Sequence, residues 1–243
     1  MRPIRRGLSP TTSDFAKYQD AKPELVARLG PYCSFCERSL PAGLAVEHIQ
    51  AKDLNEYRHL ERTWSNFLLA CVNCNSTKST TNVTPGQYVL PDRDNTFAVF
   101  LYAADGSITV HDSMEPGIRA LAERTLKLVG LGKAAHLWKD ANGRAVALDR
   151  MSQRMQAWSQ AEVARADIES NPRNEALKRQ VLELAKSTGF FSVWMSVFSG
   201  HPGMRRRLIE AFPGTNESGC FDSRGDPVTP APNPDGLESG GKT

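Results

Sequence analysis

The chain divides by the rhythm of its apolar positions. Phe15, Tyr18, Leu25, Val26 and Leu29 recur at helical spacing over residues 13–29, and Gly30-Pro31 ends the run. Leu44 to Ile49 and Trp64 to Ala70 are short apolar-rich stretches that read as two strands, with a helix starting near residues 73–75. Phe97–Tyr102 and Ser107–Val110 flank Asp105-Gly106, which predicts a β-hairpin. From Glu115 to Phe212 the period becomes helical. Pro116 suits a first helical turn, and Ile118, Leu121, Thr125, Leu128 and Val129 form a stripe that stops at Gly130. A longer helix is predicted over 145–169, with Leu148, Met151, Met155, Trp158 and Ile168 buried and Asn171-Pro172 closing it. Others follow at 174–187, 189–199 and 203–212. The dense set Phe190, Phe191, Val193, Trp194, Val197 and Phe198 reads as core packing. Five prolines and six glycines in 213–243 predict a disordered tail. The expected fold class is therefore α+β. A basic, partly helical segment (1–30) precedes a cysteine module with its hairpin (31–112), a helical domain (113–212) and the tail (213–243).

Composition narrows the class. With 243 residues, 40% of them hydrophobic, the chain can bury a core. No run approaches the roughly 18 apolar residues of a membrane span, and Met1–Arg6 lacks the apolar stretch of a secretion signal. A cytoplasmic location is expected, where thiols stay reduced and paired cysteines read as metal ligands. The net charge is +3, but residues 213–243 carry Glu217, Asp222, Asp226, Asp235 and Glu238 against Arg224 and Lys242, a net −3, which leaves +6 on residues 1–212. That balance is compatible with a polyanionic partner without demanding one.

The chemistry gathers in one window. Cys33/Cys36 and Cys71/Cys74 form two Cys-x-x-Cys pairs, a donor set that suits a tetrahedral zinc ion. The 34 residues between Cys36 and Cys71 exceed the about 15–20 of a simple zinc ribbon, so this loop holds structure of its own. It contains Glu47-His48-Ile49 and Asn66-Phe-Leu-Leu, and Cys74 leads directly into Asn75-Ser-Thr-Lys78. A nuclease needs a base and hard oxygen ligands close together. Glu47 and His48 offer a carboxylate and an imidazole, and Asn75 at the helix start offers a second oxygen. The Asn66 amide is placed to bond backbone groups of the connection 50–63 and so to orient His48. On the cysteines alone, a binding module and an enzyme stand level.

Other residues carry weaker signals. Lys78, Lys52, His59 and Arg62 flank the window and are candidate nucleic-acid contacts, with solvated surface charge as the plainer reading. Asp92 and Asp94 follow Leu90-Pro91 and are read first as caps of the next strand, second as completing a magnesium shell. Arg205-Arg-Arg207 is either a basic patch or a solvated face. His111, His136 and His201 are read as structural, and Cys220 stands alone in the tail.

Residues 31–80 resemble the HNH endonucleases, also called ββα-metal nucleases. The resemblance rests on Cys33-x-x-Cys36, Glu47-His48-Ile49, Asn66-Phe-Leu-Leu and Cys71-x-x-Cys74-Asn75-x-x-Lys78. It implies that His48 is the general base, that Glu47 and Asn75 hold a catalytic Mg2+ or Mn2+, that Asn66 orders the site loop, and that the four cysteines hold a structural Zn2+. The sequence departs from the family at Glu47, where aspartate is commoner, and at Asn75, where histidine is frequent. The implied activity is hydrolysis of DNA phosphodiester bonds to 5′-phosphate and 3′-hydroxyl ends. An RNA substrate such as transfer RNA and a non-catalytic zinc-binding adaptor are the competing readings. The opening Met-Arg-Pro-Ile, the early cysteine module and Thr188-Gly-Phe-Phe in a helical second half are also similar to PtuB, the HNH component of Septu and retron-associated anti-phage systems. That similarity implies an ABC- or SMC-type ATPase partner, PtuA, docked on the helical half.

Overall fold

The computed structural model describes residues 1–133, 138, 139, 141, 142, 145, 146 and 149–243. Proline and glycine set the first boundaries. Pro23 lies in the first turn of α1 (Lys22–Leu29), and Gly30 at φ 74° ends it, so the helix predicted over 13–29 forms only in its second half, behind a 3-10 turn at Tyr18–Ala21.

The two predicted strands form as β1 (Ala45–His48) and β2 (Phe67–Ala70). They pair antiparallel with Glu47 opposite Leu68 and His48 opposite Phe67. Every residue of β2 is buried, which is why it reads as an unbroken apolar run. The chain then enters α2 (Val72–Lys78) at Cys71, whose sulfur accepts the Cys74 N–H. These three elements make a β-β-α unit with the cysteine pairs at its base.

The predicted hairpin is shorter at its start. Asn95 caps α3 (Thr96–Val99) by accepting the Ala98 N–H, which converts the first residues of the expected strand into a helical turn. β3 (Phe100–Tyr102) and β4 (Ile108–Val110) follow. Gly106 in their turn sits at φ 76°, and a Cβ there would meet the Met151 carbonyl at 2.4 Å, so the hairpin lies directly against α5 (Arg150–Ser170). Between them run α4 (Pro116–Leu128) and a two-stranded pair, β5 (Trp138–Lys139) and β6 (Ala145–Val146). α5 begins at Arg150, five residues later than the apolar pattern predicts, with Asp149 accepting the Ser152 N–H as its cap. Its buried stripe is Ala157, Ala161, Ala164 and Ile168, whereas the predicted core residue Met155 is 43% exposed. The expectations for Leu148 and His136 lie outside the described residues. α6 (Glu175–Thr188), α7 (Phe191–Val197) and α8 (Pro202–Ala211) complete the helical part.

Two buried clusters organise these elements. One joins the N-terminal segment, α1, the cysteines, β1 to β4 and α4. The other packs α5 to α8 around Trp194, Phe198, Leu208 and Phe212, with Tyr32 reaching in from the cysteine region. Glu37 ties them together. It receives Ser192 N at 2.7 Å and Ser192 Oγ at 2.6 Å from α7, and the Met1 amino group at 3.0 Å.

The expectation of disorder over 213–243 is corrected. This segment runs back along the first half of the chain. Arg2 donates to Pro213 O and Thr215 Oγ1, Asn95 Nδ2 to Cys220 O and Val228 O, and Arg93 to Glu238 O. Asp235 pairs with Arg5 at 2.7 Å and Lys242 with Asp94 at 2.9 Å. A Pro- and Gly-rich segment builds little regular structure, but its backbone groups are satisfied by side chains from distant parts of the sequence. Cys220 is buried with it, and burial pushes its thiol up to about 11. Among the described residues, no helix is long and apolar enough to cross a membrane.

Candidate active site

The Sγ atoms of Cys33, Cys36, Cys71 and Cys74 all lie within 4.8 Å of one another, and all four residues are buried. Cys36 and Cys71 stand 3.7 Å apart. That is far beyond a disulfide of about 2.05 Å and matches thiolates sharing one tetrahedral ion at about 2.3 Å each. Hydrogen bonds from Cys33, Cys36 and Cys74 hold the Cys71 thiol well below its usual range, while burial pushes Cys33 up. Sulfurs this close and this dry become thiolates together only around a cation, so the donor set fits zinc. Cys220 does not belong to the group.

On the strand above, neighbouring side chains diverge as pleating requires. Glu47 turns to Lys78, whose Nζ lies 2.9 Å from Oε1 and also donates to His48 O at 2.7 Å. Both side chains are shut off from water, with exposures of 4% and 2%. Burial raises the Glu47 carboxyl above its usual range, opposed by Lys78. Asn75 lies three residues before Lys78 on α2 and so shares its face. It is half-buried, and its side-chain amide makes no hydrogen bond among the described residues.

His48 packs edge-on against Tyr18, with centroids 4.8 Å apart, and against Phe67 at 5.2 Å. Its Nε2 lies 2.8 Å from Glu61 O. A carbonyl only accepts, so Nε2 carries the proton and Nδ1 keeps the basic lone pair. Burial lowers the His48 pKa, the Glu61 carbonyl offsets part of this, and the charges of Lys52 and Lys78 add to it. The imidazole is thus kept in its neutral form, with the free lone pair on Nδ1. Asn66 fastens the connection that supplies Glu61: its Oδ1 accepts Gln50 N at 2.8 Å, and its Nδ2 donates to Gln50 O at 3.0 Å and Leu60 O at 3.3 Å.

A zinc-type cysteine cluster, a neutral histidine and a buried carboxylate on one β-β-α unit point to a known arrangement. Residues 33–81 match the HNH endonuclease family model. The HNH match supports nuclease activity for this domain. A search of curated proteins finds no match to the chain.

The structure brings Glu47, His48, Asn66, Asn75 and the four cysteines together in the region that matches the HNH model and separates the other candidates. Lys78 is corrected as a nucleic-acid contact: it is 1% exposed and neutralises Glu47. His59 and Arg62 are exposed on the connection, and Lys52 pairs with Asp53 at 3.0 Å beside the Tyr18 ring. Asp92 lies 2.9 Å from both Arg6 and Arg93; although burial opposes its ionisation, Arg93 and Arg6 hold its carboxyl at about 2. It faces those arginines and caps nothing, while Asp94 accepts Leu90 N and pairs with Lys242, and Asn95 is the helix cap. Arg205, Arg206 and Arg207 are each in an ion pair, with Asp226, Glu210 and Glu175. Sequence reasoning missed Tyr18 and the Glu61 carbonyl, whose contacts with His48 leave no local signal. It also missed the ion pair of Lys78, whose partner Glu47 is distant in the sequence.

Proposed function

We propose that this chain is a metal-dependent HNH endonuclease that hydrolyses DNA phosphodiester bonds. The observation that carries the reading is His48, buried, neutral and turned by the Glu61 carbonyl so that Nδ1 is its base, within the domain that matches the HNH family. In this reading Nδ1 takes the proton of the attacking water, and the Glu61 carbonyl steadies the imidazolium through Nε2–H. Asn66 keeps Glu61 in place by tying Leu60 to Gln50.

Glu47 and Asn75 are the residues that would hold Mg2+ or Mn2+. Their carboxylate and amide oxygens are hard donors. Lys78 occupies Glu47 Oε1, which leaves Oε2 as the ligand oxygen. When bound, the cation polarises the phosphate and stabilises the departing oxygen. The layout of the sequence supports a wider role as the nuclease of an anti-phage complex, with the ABC- or SMC-type ATPase PtuA on the helical half.

Plasmid cleavage in Mg2+ or Mn2+ tests this, comparing wild type with His48→Ala, each with and without such an ATPase. Cutting by wild type and not by the variant supports the nuclease, and dependence on the partner supports the complex. The buried Lys78–Glu47 pair favours one other reading, a zinc-binding adaptor whose carboxylate is permanently neutralised. Zinc-loaded protein that cuts neither DNA nor RNA under either condition would favour it over the nuclease.

A further inference from the structure

The first residue of α5 reaches into the cysteine cluster. Arg150 Nη1 donates to Cys74 Sγ at 3.0 Å and to Val129 O at 2.8 Å, and Nη2 donates to Gly130 O at 2.7 Å. One guanidinium therefore joins the knuckle helix α2, the end of α4 and the start of α5. Two more guanidinium groups stand nearby. Arg154, one turn further along α5, is 3% exposed. It donates to Gly106 O and Leu131 O, and its Nη1 has no hydrogen-bond partner among the described residues. Arg38 donates from the knuckle to Asn73 Oδ1 at 2.8 Å and to Gln153 Oε1 on α5 at 3.4 Å.

A buried guanidinium bonded only to carbonyls needs an anion close by. Burial pulls the Arg154 pKa down to about 10, and the foremost charge resisting that is Cys36, ahead of Glu37 and Asp149. A zinc ion with four thiolates is formally dianionic, and its sulfurs accept N–H bonds well.

We infer that the zinc centre is completed from outside the HNH match by Arg150, a positioning residue whose N–H···S bond docks α5 on the charge of the metal–thiolate cluster. The inference rests on zinc filling the cysteine site and is independent of whether the domain cuts DNA. Metal binding and the seating of the helical part are then one event: loss of zinc or oxidation of Cys74 frees the start of α5.

Full-length Arg150→Gln and Arg150→Lys, loaded with zinc or with cobalt as a spectroscopic substitute, test it without any nuclease assay. For Arg150→Gln the expected results are zinc release to a chelator roughly 10-fold faster, a shifted thiolate-to-cobalt charge-transfer band, and faster amide exchange over 150–158 with metal still bound. Arg150→Lys should recover part of the release rate. Wild-type release with an unshifted band overturns the inference. Faster release with an unshifted band also overturns it, since Arg150 would then be a staple for the α4 carbonyls alone. Should the Gln variant not fold, the cobalt band of Arg150→Lys decides by the same criterion.

Discussion

Lys78 Nζ lies 2.9 Å from Glu47 Oε1 and 2.7 Å from the His48 carbonyl, so one buried ammonium grips both residues of the Glu-His pair. Removing either charge strands the other in a dry site. Lys78→Met and Glu47→Leu should each destabilise the fold by about 3–5 kcal/mol. The double variant should recover much of that loss, because an apolar pair of similar volume fits the gap. Urea unfolding of the three proteins checks this, and additive losses in the double variant would show that the two side chains do not act as a pair.

The pH behaviour of His48 has a definite sign. Its folded pKa lies below the ordinary 6.5 because burial disfavours the imidazolium. The unfolded chain therefore takes up the proton first as pH falls, and His48 lowers stability only below about 6.5. In the active protein, the acid limb of the cleavage rate should have its midpoint below that of free imidazole. A pH–rate profile measures it, and a midpoint above 6.5 would contradict the buried, neutral base.

Asn66→Ala removes three hydrogen bonds to Gln50 and Leu60. The buried backbone groups left without partners should cost about 2–4 kcal/mol, and the connection that carries Glu61 should loosen. Hydrogen exchange over 50–63 is the direct readout, with cleavage falling while zinc content stays at the wild-type level.

Cys71→Ser should unfold the β-β-α unit, since a structural zinc site in so small a module contributes on the order of 10 kcal/mol. Metal analysis with circular dichroism tests this. A folded variant with full zinc would mean that three cysteines suffice.

These residues also show what the sequence made legible. Spacing placed the two cysteine pairs, and apolar runs placed β1 and β2, because a metal knuckle and a buried strand are written locally. Asn95 and Asp149 shifted the starts of α3 and α5 because a cap overrides an apolar pattern. Lys78 read as a surface cation because lysine is almost never buried unless paired, and its partner lies 31 residues away. Arg150 carried no signal at all, since its contact with Cys74 exists only in the folded chain. The tail misled for the same reason: composition reports the lack of local structure, and its order comes from Arg2, Arg5, Arg93 and Asn95.

That last arrangement bears on when the protein takes shape. Arg2 closes on Pro213 and Thr215, Arg5 on Asp235, and Asn95 on Cys220 and Val228, so the segments on either side of residues 33–81 are held by chain made long after them. Contacts of such long sequence separation cost loop-closure entropy before they stabilise anything, which slows folding. While a ribosome is still building the helical half, the cysteines and His48 already exist as residues but the clasp on Arg2, Arg5 and Asn95 does not. That clasp is complete only in chains that have been translated beyond residue 235.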